Sequence, residues 1–267
     1  MMAKRILEIL DLNPKQGDVG VEIEMESNSD NEFPNVPGWR LTHDGSLRGH
    51  SGEYVLTEPV PVKDLPVLIK NLQVALEANK MEIRYTFRAG VHVHVNVQQL
   101  TVKQVRNFAA LYLLLEELLI DTCGSDRVGN FFCLRAVDAE FLIDYVAGVI
   151  SQGRLYDLNT NDIRYAAINF KALPQYGSIE FRALATQPDL ENIAPWANLL
   201  VSLREKAKTL ENPQRILEDF SMLGSRGWVE NMLGEYYYMV KDNPKFDEHI
   251  WTGMRLAQDF IYFSEGR

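Results

Sequence analysis

The stretch of sequence that decides the fold is residues 18–26, Asp-Val-Gly-Val-Glu-Ile-Glu-Met-Glu. Side chains two residues apart on an extended strand point to the same face of a sheet, so Glu22 and Glu24 share one face and the apolar residues share the other. Carboxylates on one face repel each other unless water, an arginine or a cation lies between them. Alone, the pattern favours an amphipathic strand with its acids in solvent, and a cation becomes the better interpretation if other strands carry further ligand residues.

A second strand shows the same alternation and carries two histidines. Residues 88–97 read Arg-Ala-Gly-Val-His-Val-His-Val-Asn-Val, which places Arg88, His92, His94 and Asn96 on one face and four valines on the other. Two histidine rings that point into the same space suit metal ligation or contact with phosphate or carboxylate groups. The alternative is a pair of histidines satisfied by neighbouring hydrogen bonds, but the flanking arginine and asparagine favour a site.

Two further strands add acidic residues to the set. Glu180 and Arg182 share one face of a late strand, although a surface ion pair would explain these two residues alone. Glu53 begins a strand after the Asp44-Gly-Ser turn, whereas Glu58 points away from Glu53 by strand parity unless a bulge intervenes. Burial of so many carboxylates requires cations. Oxygen ligands with one imidazole favour magnesium or manganese over zinc.

The chain as a whole predicts an α+β fold, because antiparallel strands and hairpins are mixed with helices rather than alternating regularly with them. Helical periodicity is predicted over residues 62–80, 101–124, 138–151, 189–209, 214–222, 227–241 and 245–263. Strands are predicted over residues 18–26, 39–42, 53–57, 81–85, 88–97, 164–170 and 177–184. We expect a single domain over residues 1–267, with a mostly helical C-terminal part over 189–267.

The composition indicates a soluble globular protein. The chain has 267 residues, of which 46% are hydrophobic, and its longest apolar stretch, residues 108–120, is too short to cross a bilayer. Residues 1–12 lack the core of a signal peptide, and two cysteines are too few for a disulfide framework, so we expect a cytoplasmic protein. A net charge of −10 argues against general affinity for nucleic acids or anionic membranes.

The order of these motifs along the chain resembles the amidoligase family. The sequence runs through Gly-x-Glu-x-Glu, Asp-Gly-Ser with Gly-Glu, His-x-His, and then Asn with Glu-Phe-Arg, over about residues 18–200. The family belongs to the carboxylate–amine ligase superfamily, which includes glutamine synthetase and glutamate–cysteine ligase. The resemblance implies a curved, mainly antiparallel sheet that lines the active site, with helices packed outside and Mg²⁺ or Mn²⁺ ions held by acidic strands.

The resemblance also implies a reaction and the residues that perform it. A substrate carboxylate would attack the γ-phosphate of ATP, and an amine would then displace phosphate from the acyl phosphate to form an amide. The substrates would be small-molecule or peptide carboxylates and amines. The implied metal ligands are Glu22, Glu24, Glu53, His92 and Glu180. The implied catalytic residues are Arg182, Glu53 and His94. The candidate contacts to nucleotide or substrate are Arg88, Arg164, Asn169 and Arg182.

Two other functions stay open at this point. His-x-His with a distant glutamate also occurs in metal-dependent β-barrel enzymes of the dioxygenase or isomerase type, although residues 95–100 supply no acidic third ligand. The chain could also be a non-catalytic binding module that keeps the ligase fold. The aromatic residues of the C-terminal part could shape an acceptor pocket or the interface of a homo-oligomer. Dependence on ATP and magnesium separates the ligase from both alternatives.

Overall fold

A computed structural model describes residues 3–265 and shows an α+β fold built on an open antiparallel sheet of seven strands. The strands are β1 (Val19–Ser27), β2 (Trp39–Thr42), β3 (His50–Leu56), β4 (Ile83–Arg84), β5 (Gly90–Asn96), β6 (Ile168–Asn169) and β7 (Ser178–Ala185). Their order is β2-β3-β1-β5-β7-β6, and β4 pairs with the end of β1 beyond the part that pairs with β5. The predicted fold class is confirmed. Within residues 3–265, β2 and β6 are the outer strands and do not pair with each other, so the sheet is open rather than closed as in a barrel enzyme.

Eight α-helices lie within the described residues. They are α1 (Ile6–Ile9), α2 (Leu65–Ala78), α3 (Val102–Ile120), α4 (Glu140–Ser151), α5 (Leu173–Tyr176), α6 (Ile193–Thr209), α7 (Gln214–Leu233) and α8 (Phe246–Ser264). Helix α3 begins at the predicted capping box, in which Thr101 Oγ1 accepts from the Gln104 amide and the Gln104 side chain accepts from the Thr101 amide. Over residues 3–265, no helix combines the length and the apolar character that crossing a bilayer requires.

The two faces of the sheet differ as the alternation predicts. On one face, Val21, Ile23 and the four valines of the β5 segment are buried at 1% exposure or less. Helix α3 covers this face, with Phe108 and Tyr112 packed on Phe181 of β7 at ring centroid distances of 5.5 and 4.7 Å. The opposite face carries the acidic and histidine side chains. The hydrophobic core therefore holds the sheet from behind and leaves the polar face available for chemistry.

Three predicted elements differ from those observed. Of the predicted strand 164–170, only Ile168–Asn169 joins the sheet. The chain just before it forms a 3-10 turn at residues 161–163, which the Thr160 hydroxyl caps. The predicted helices 214–222 and 227–241 are one kinked helix, α7, with the break at Gly224 as expected (φ 71°). Helix α7 ends at Leu233, because Gly234 leaves helical geometry and residues 234–239 continue as a 3-10 helix.

Helices α3 and α8 approach each other closely because α8 has a glycine at the contact. A β-carbon at Gly253 would lie 2.1 Å from the Leu114 carbonyl oxygen and 3.0 Å from that of Leu113. Backbone atoms at such distances cannot move aside without a shift of a whole helix.

We expect Gly253→Ala to destabilise the protein by about 1–3 kcal/mol or more, because the added methyl group overpacks the α3 and α8 contact. Gly148→Ala is the matched control, since Gly148 lies within α4 and an added β-carbon there meets no atom within 4 Å. The control should be stabilising by up to about 1 kcal/mol. Urea denaturation of both variants measures the difference, and equal stabilities would refute the close helix contact.

Helix α3 also buries two glutamates at its C-terminal end. Glu116 is fully buried and accepts a hydrogen bond from the Ala136 amide at 2.6 Å, while its other oxygen has no partner among the described residues. Burial raises the pKa of Glu116 to about 8. Glu117 accepts from Arg135 at 2.8 Å, and burial raises its pKa as well.

We expect the folded protein to lose stability as the pH rises from about 4.5 towards 8, because the unfolded Glu116 ionises in this range while the folded one stays protonated. The slope from this residue is at most about 1.4 kcal/mol per pH unit. Glu116→Gln should flatten the dependence, whereas Glu230→Gln, an exposed change on α7, should leave it as in the wild type. Denaturation midpoints between pH 4 and 9 measure the effect, and identical profiles for the wild type and Glu116→Gln would contradict it.

Candidate active site

The registers of neighbouring strands bring the predicted site residues together on the polar face. Several predicted site residues lie opposite one another on neighbouring strands, and side chains on paired antiparallel residues point to the same face. The opposed pairs are Glu24 and Glu53, Glu22 and His92, His94 and Glu180, and Asn169 and Glu180.

A bulge in β7 positions Arg182. Val91 and Val93 of β5 pair with Leu184 and Phe181, so two residues of β7, Arg182 among them, lie opposite His92. The guanidinium of Arg182 forms an ion pair with Glu180, lies 3.3 Å from His92 Nδ1 and donates to the Phe132 carbonyl at 3.4 Å. The bulge therefore turns this arginine into the cluster rather than along the strand.

Three side chains form a first group with the geometry of a cation site. Glu22, His92 and Glu180 each offer one ligand atom, and these atoms lie within 4.8 Å of one another. His92 Nδ1 lies 3.2 Å from Glu22 Oε2 and 3.5 Å from Glu180 Oε1. His92 and Glu180 are buried, whereas Glu22 keeps 29% of its side chain exposed. The group is thus open to solvent on one side.

A second group consists of Glu24, Asp44 and Glu53, whose ligand oxygens also lie within 4.8 Å of one another. Glu24 is 4% exposed and accepts a hydrogen bond from the Gly90 amide at 2.9 Å. Within residues 3–265, none of the three forms an ion pair with a lysine or arginine. The nearest basic group is the His92 imidazole, whose Nε2 lies 3.7 Å from Glu24 Oε1. Three carboxylates that lack a lysine or arginine partner fit a hard divalent cation, which takes oxygen ligands.

The charge balance differs between the two groups. Burial raises the pKa of Glu53 to about 7, and the negative charges of Glu22 and Glu24 raise it further in the same direction. Burial would also raise the pKa of Glu22, but hydrogen bonds with His92 and His94 outweigh it and hold this pKa well below its usual value. Glu53 therefore has less compensating positive charge than Glu22, and a bound cation would supply it.

His94 lies next to the first group without belonging to it. Its Nδ1 lies 3.3 Å from the Ser178 hydroxyl and its Nε2 lies 3.4 Å from Glu22 Oε1. Burial lowers the pKa of His94, but the nearby carboxylates of Glu22 and Glu180 raise it above its usual value overall. His92 is thus a member of the first group, whereas His94, two residues later, lies beside it against Ser178 and Glu22.

Asn169 contacts the first group, whereas Glu58 lies apart from both groups. Asn169 is 2% exposed and donates to Glu180 Oε2 at 2.6 Å, so it orients that carboxylate. Glu58 follows the end of β3 and forms an exposed ion pair with Lys15 at 2.7 Å. It lies outside both ligand groups.

The two remaining arginines of the prediction lie at the rim of the site. The Arg88 guanidinium is 4.8 Å from the centre of the Phe87 ring and 5.6 Å from that of Phe132. Arg164 is exposed, with its guanidinium 4.4 Å from the centre of the Tyr165 ring. Neither side chain is ion-paired with an acid of the two groups, which leaves both guanidinium groups available to an anion.

Two residues of the site had no assigned role in the sequence. Asp44 belongs to the Asp-Gly-Ser motif, but strand parity does not tell where a turn residue points. Arg127 is 1% exposed and donates to the carbonyls of Ala183 and Arg182 at 2.8 Å, so it holds the bulged part of β7. Its segment shows neither helix nor strand periodicity, and no sequence signal marks it.

Comparison with known proteins places the chain in a family. Residues 19–204 match the model of the family described as "Putative amidoligase enzyme". This range covers more than half of the chain and contains all six residues of the two ligand groups. No match was found among curated proteins. The resemblance of the motifs is confirmed, and the chain belongs to the amidoligase family.

Proposed function

We propose that the protein is an ATP-dependent carboxylate–amine ligase that forms an amide bond through an acyl phosphate. The observation that supports this most is the convergence, on one face of the sheet, of two groups of side chains that could each hold a cation, with Arg182 beside them. Adjacent divalent cations and an arginine are the equipment of phosphoryl transfer from a nucleotide. Membership of the amidoligase family agrees with this reaction class.

The donor atoms of both groups fit Mg²⁺, with Mn²⁺ as a substitute. Glu22, His92 and Glu180 would hold one ion, and Glu24, Asp44 and Glu53 a second. Bound ions would neutralise the phosphate charges of ATP, which otherwise repel a substrate carboxylate.

The first step joins the carboxylate to phosphate. A carboxylate oxygen of the substrate bonds to the γ-phosphorus of ATP while the bond to the bridging oxygen breaks, which releases ADP. Arg182 is held by Glu180 and by the Phe132 carbonyl, so its remaining N–H groups can donate to the oxygens of the transferring phosphoryl group. Arg88, Arg164 and Asn169 would add contacts to the nucleotide or substrate.

The second step forms the amide. The amine nitrogen of the second substrate bonds to the acyl carbon, the bond from this carbon to the phosphate oxygen breaks, and inorganic phosphate leaves. The nitrogen gives up a proton to a carboxylate of the cluster. Glu53 and His94 complete the proposed catalytic set, with His94 in contact with substrate or phosphate.

We expect the wild type to bind two Mn²⁺ ions per chain in isothermal titration calorimetry. Asp44→Asn and His92→Gln should each weaken one of the two ions at least tenfold, because each removes a ligand from a different group. Glu26→Gln is the matched control on the same strand as Glu22 and Glu24, since the Glu26 carboxylate is taken up by Arg84 and the Arg48 amide. A single ion in the wild type, or equal weakening by the control, would refute the two-group assignment.

We expect Glu24→Gln and Arg182→Lys to lower magnesium-dependent release of ADP from ATP at least a hundredfold. Glu24→Gln removes a charge from a cation site, and lysine cannot reproduce the fork with which Arg182 reaches its three partners. ADP release is measured with mixtures of carboxylic acids and amines, and Glu230→Gln should leave it unchanged. A wild type that binds neither magnesium nor ATP would show instead that the chain is a non-catalytic module.

A further inference from the structure

A pocket of about 450 Å³ opens on the polar face beside the first ligand group. Glu22 and His94 line it, and Gly20, which lies opposite His94 on β1, leaves part of its wall without a side chain. A β-carbon at Gly20 would meet only the β-carbon of His94, at 3.6 Å. Of the residues that line the pocket, only Glu22 belongs to the two ligand groups. The pocket therefore adjoins the proposed metal centre through Glu22, while its other lining residues lie outside that centre.

Two amide side chains fix the walls of this pocket. Gln98 is 1% exposed, donates to the Tyr176 carbonyl at 3.0 Å and accepts from the Lys15 amide at 2.9 Å. Asn96 donates to the carbonyls of Lys15 and Gly17 at 3.3 and 2.9 Å. Wall segments that are far apart in the chain are thus tied to the sheet, so the pocket has a defined shape.

The pocket carries charges of both signs. Arg40 of β2 pairs with Val55 of β3, and Val55 pairs with Glu22 of β1, so the cation and the carboxylate stand two strands apart in one row. Adjacent strands are separated by about 4.8 Å, which places the two backbones about 10 Å apart. Lys15 is already paired with Glu58, whereas Arg40 has no ion pair within residues 3–265. A small ligand with a positive and a negative end would match this row.

The groups suited to a nucleotide lie elsewhere. Arg88 rests between the rings of Phe87 and Phe132, and the Phe132 carbonyl accepts from Arg182. None of these four residues lines the pocket. Aromatic rings and free guanidinium groups suit a base and phosphates, so the nucleotide has a place that leaves the pocket to another substrate.

We propose that this pocket binds the amine substrate of the ligase, and that this substrate is a free amino acid whose amino group faces Glu22 and whose carboxylate pairs with Arg40. The inference rests on the proposed function, since the amine has to reach an acyl phosphate at the metal centre. A guanidinium binds a carboxylate through two parallel hydrogen bonds. An amine without a carboxylate would lose this contact and leave Arg40 unpaired.

The test is direct binding, which needs no knowledge of the carboxylate donor. Each of the twenty standard amino acids, and the amine obtained from each by loss of its carboxylate, is titrated against the full-length protein and followed by NMR or calorimetry. We expect at least one amino acid to bind at millimolar concentration or below, and its decarboxylated counterpart to bind roughly tenfold to a hundredfold more weakly. Arg40→Gln should abolish this difference, and Gly20→Leu should block binding by filling the pocket.

The controls separate this inference from the proposed function. Lys63→Gln, an exposed basic residue outside the pocket, should bind the amino acid as the wild type does. Binding of ATP with magnesium should be unchanged in Arg40→Gln and Gly20→Leu. Amino acid binding without ATP binding would refute the nucleotide-dependent ligase but keep the pocket assignment. ATP binding with no amino acid bound, equal binding of the decarboxylated amine, or loss of ATP binding in the two pocket variants would overturn the pocket assignment.

Discussion

Repulsion between carboxylates on one face of the sheet is the constraint on which the structure depends. Glu22, Glu24 and Glu53 come from two adjacent strands and face the same space, and Asp44 joins them from a turn. Two histidines and Arg182 compensate the first group. The described part of the chain gives the second group no lysine or arginine partner, only His92 at 3.7 Å from Glu24. Repulsion within the second group is therefore less well compensated, and the divalent cation that we propose for it would relieve this repulsion.

The fold can tolerate this repulsion between carboxylates because the reverse side of the sheet is well packed. The valines of β5 and the apolar residues of β1 are almost wholly excluded from solvent, and α3 covers them with aromatic and aliphatic side chains. A strand that slipped by one residue would exchange this apolar row for the polar one. The same alternation of apolar and polar residues thus fixes the strand register and brings the proposed ligands to one face. A change that shifts the register would therefore disturb both the core and the site.

Much of this arrangement could be read from the sequence, and the reason is geometric. Strand parity has a period of two, so it separates a polar row from an apolar row within each strand. Because the apolar rows pack on one core, the polar rows with Glu22, His92 and Glu180 come to the same face even when the strand order is unknown. Parity does not extend to turns and bulges, which is why Asp44 was not assigned to the ligands and why the turn of Arg182 towards His92 needed the structure. Arg127 acts on backbone carbonyls from a segment without periodicity, and such contacts leave no pattern in the sequence.

The contact between α3 and α8 involves residues outside the range that the family model matches. The matched range ends at residue 204, within α6, yet α8 lies directly on α3, with the Gly253 backbone against that of Leu114. A fragment trimmed to the recognisable family would expose the outer side of the helix that supports the ligand strands. The range that the family model matches is therefore shorter than the range whose helices pack on α3, and expression boundaries should include α8.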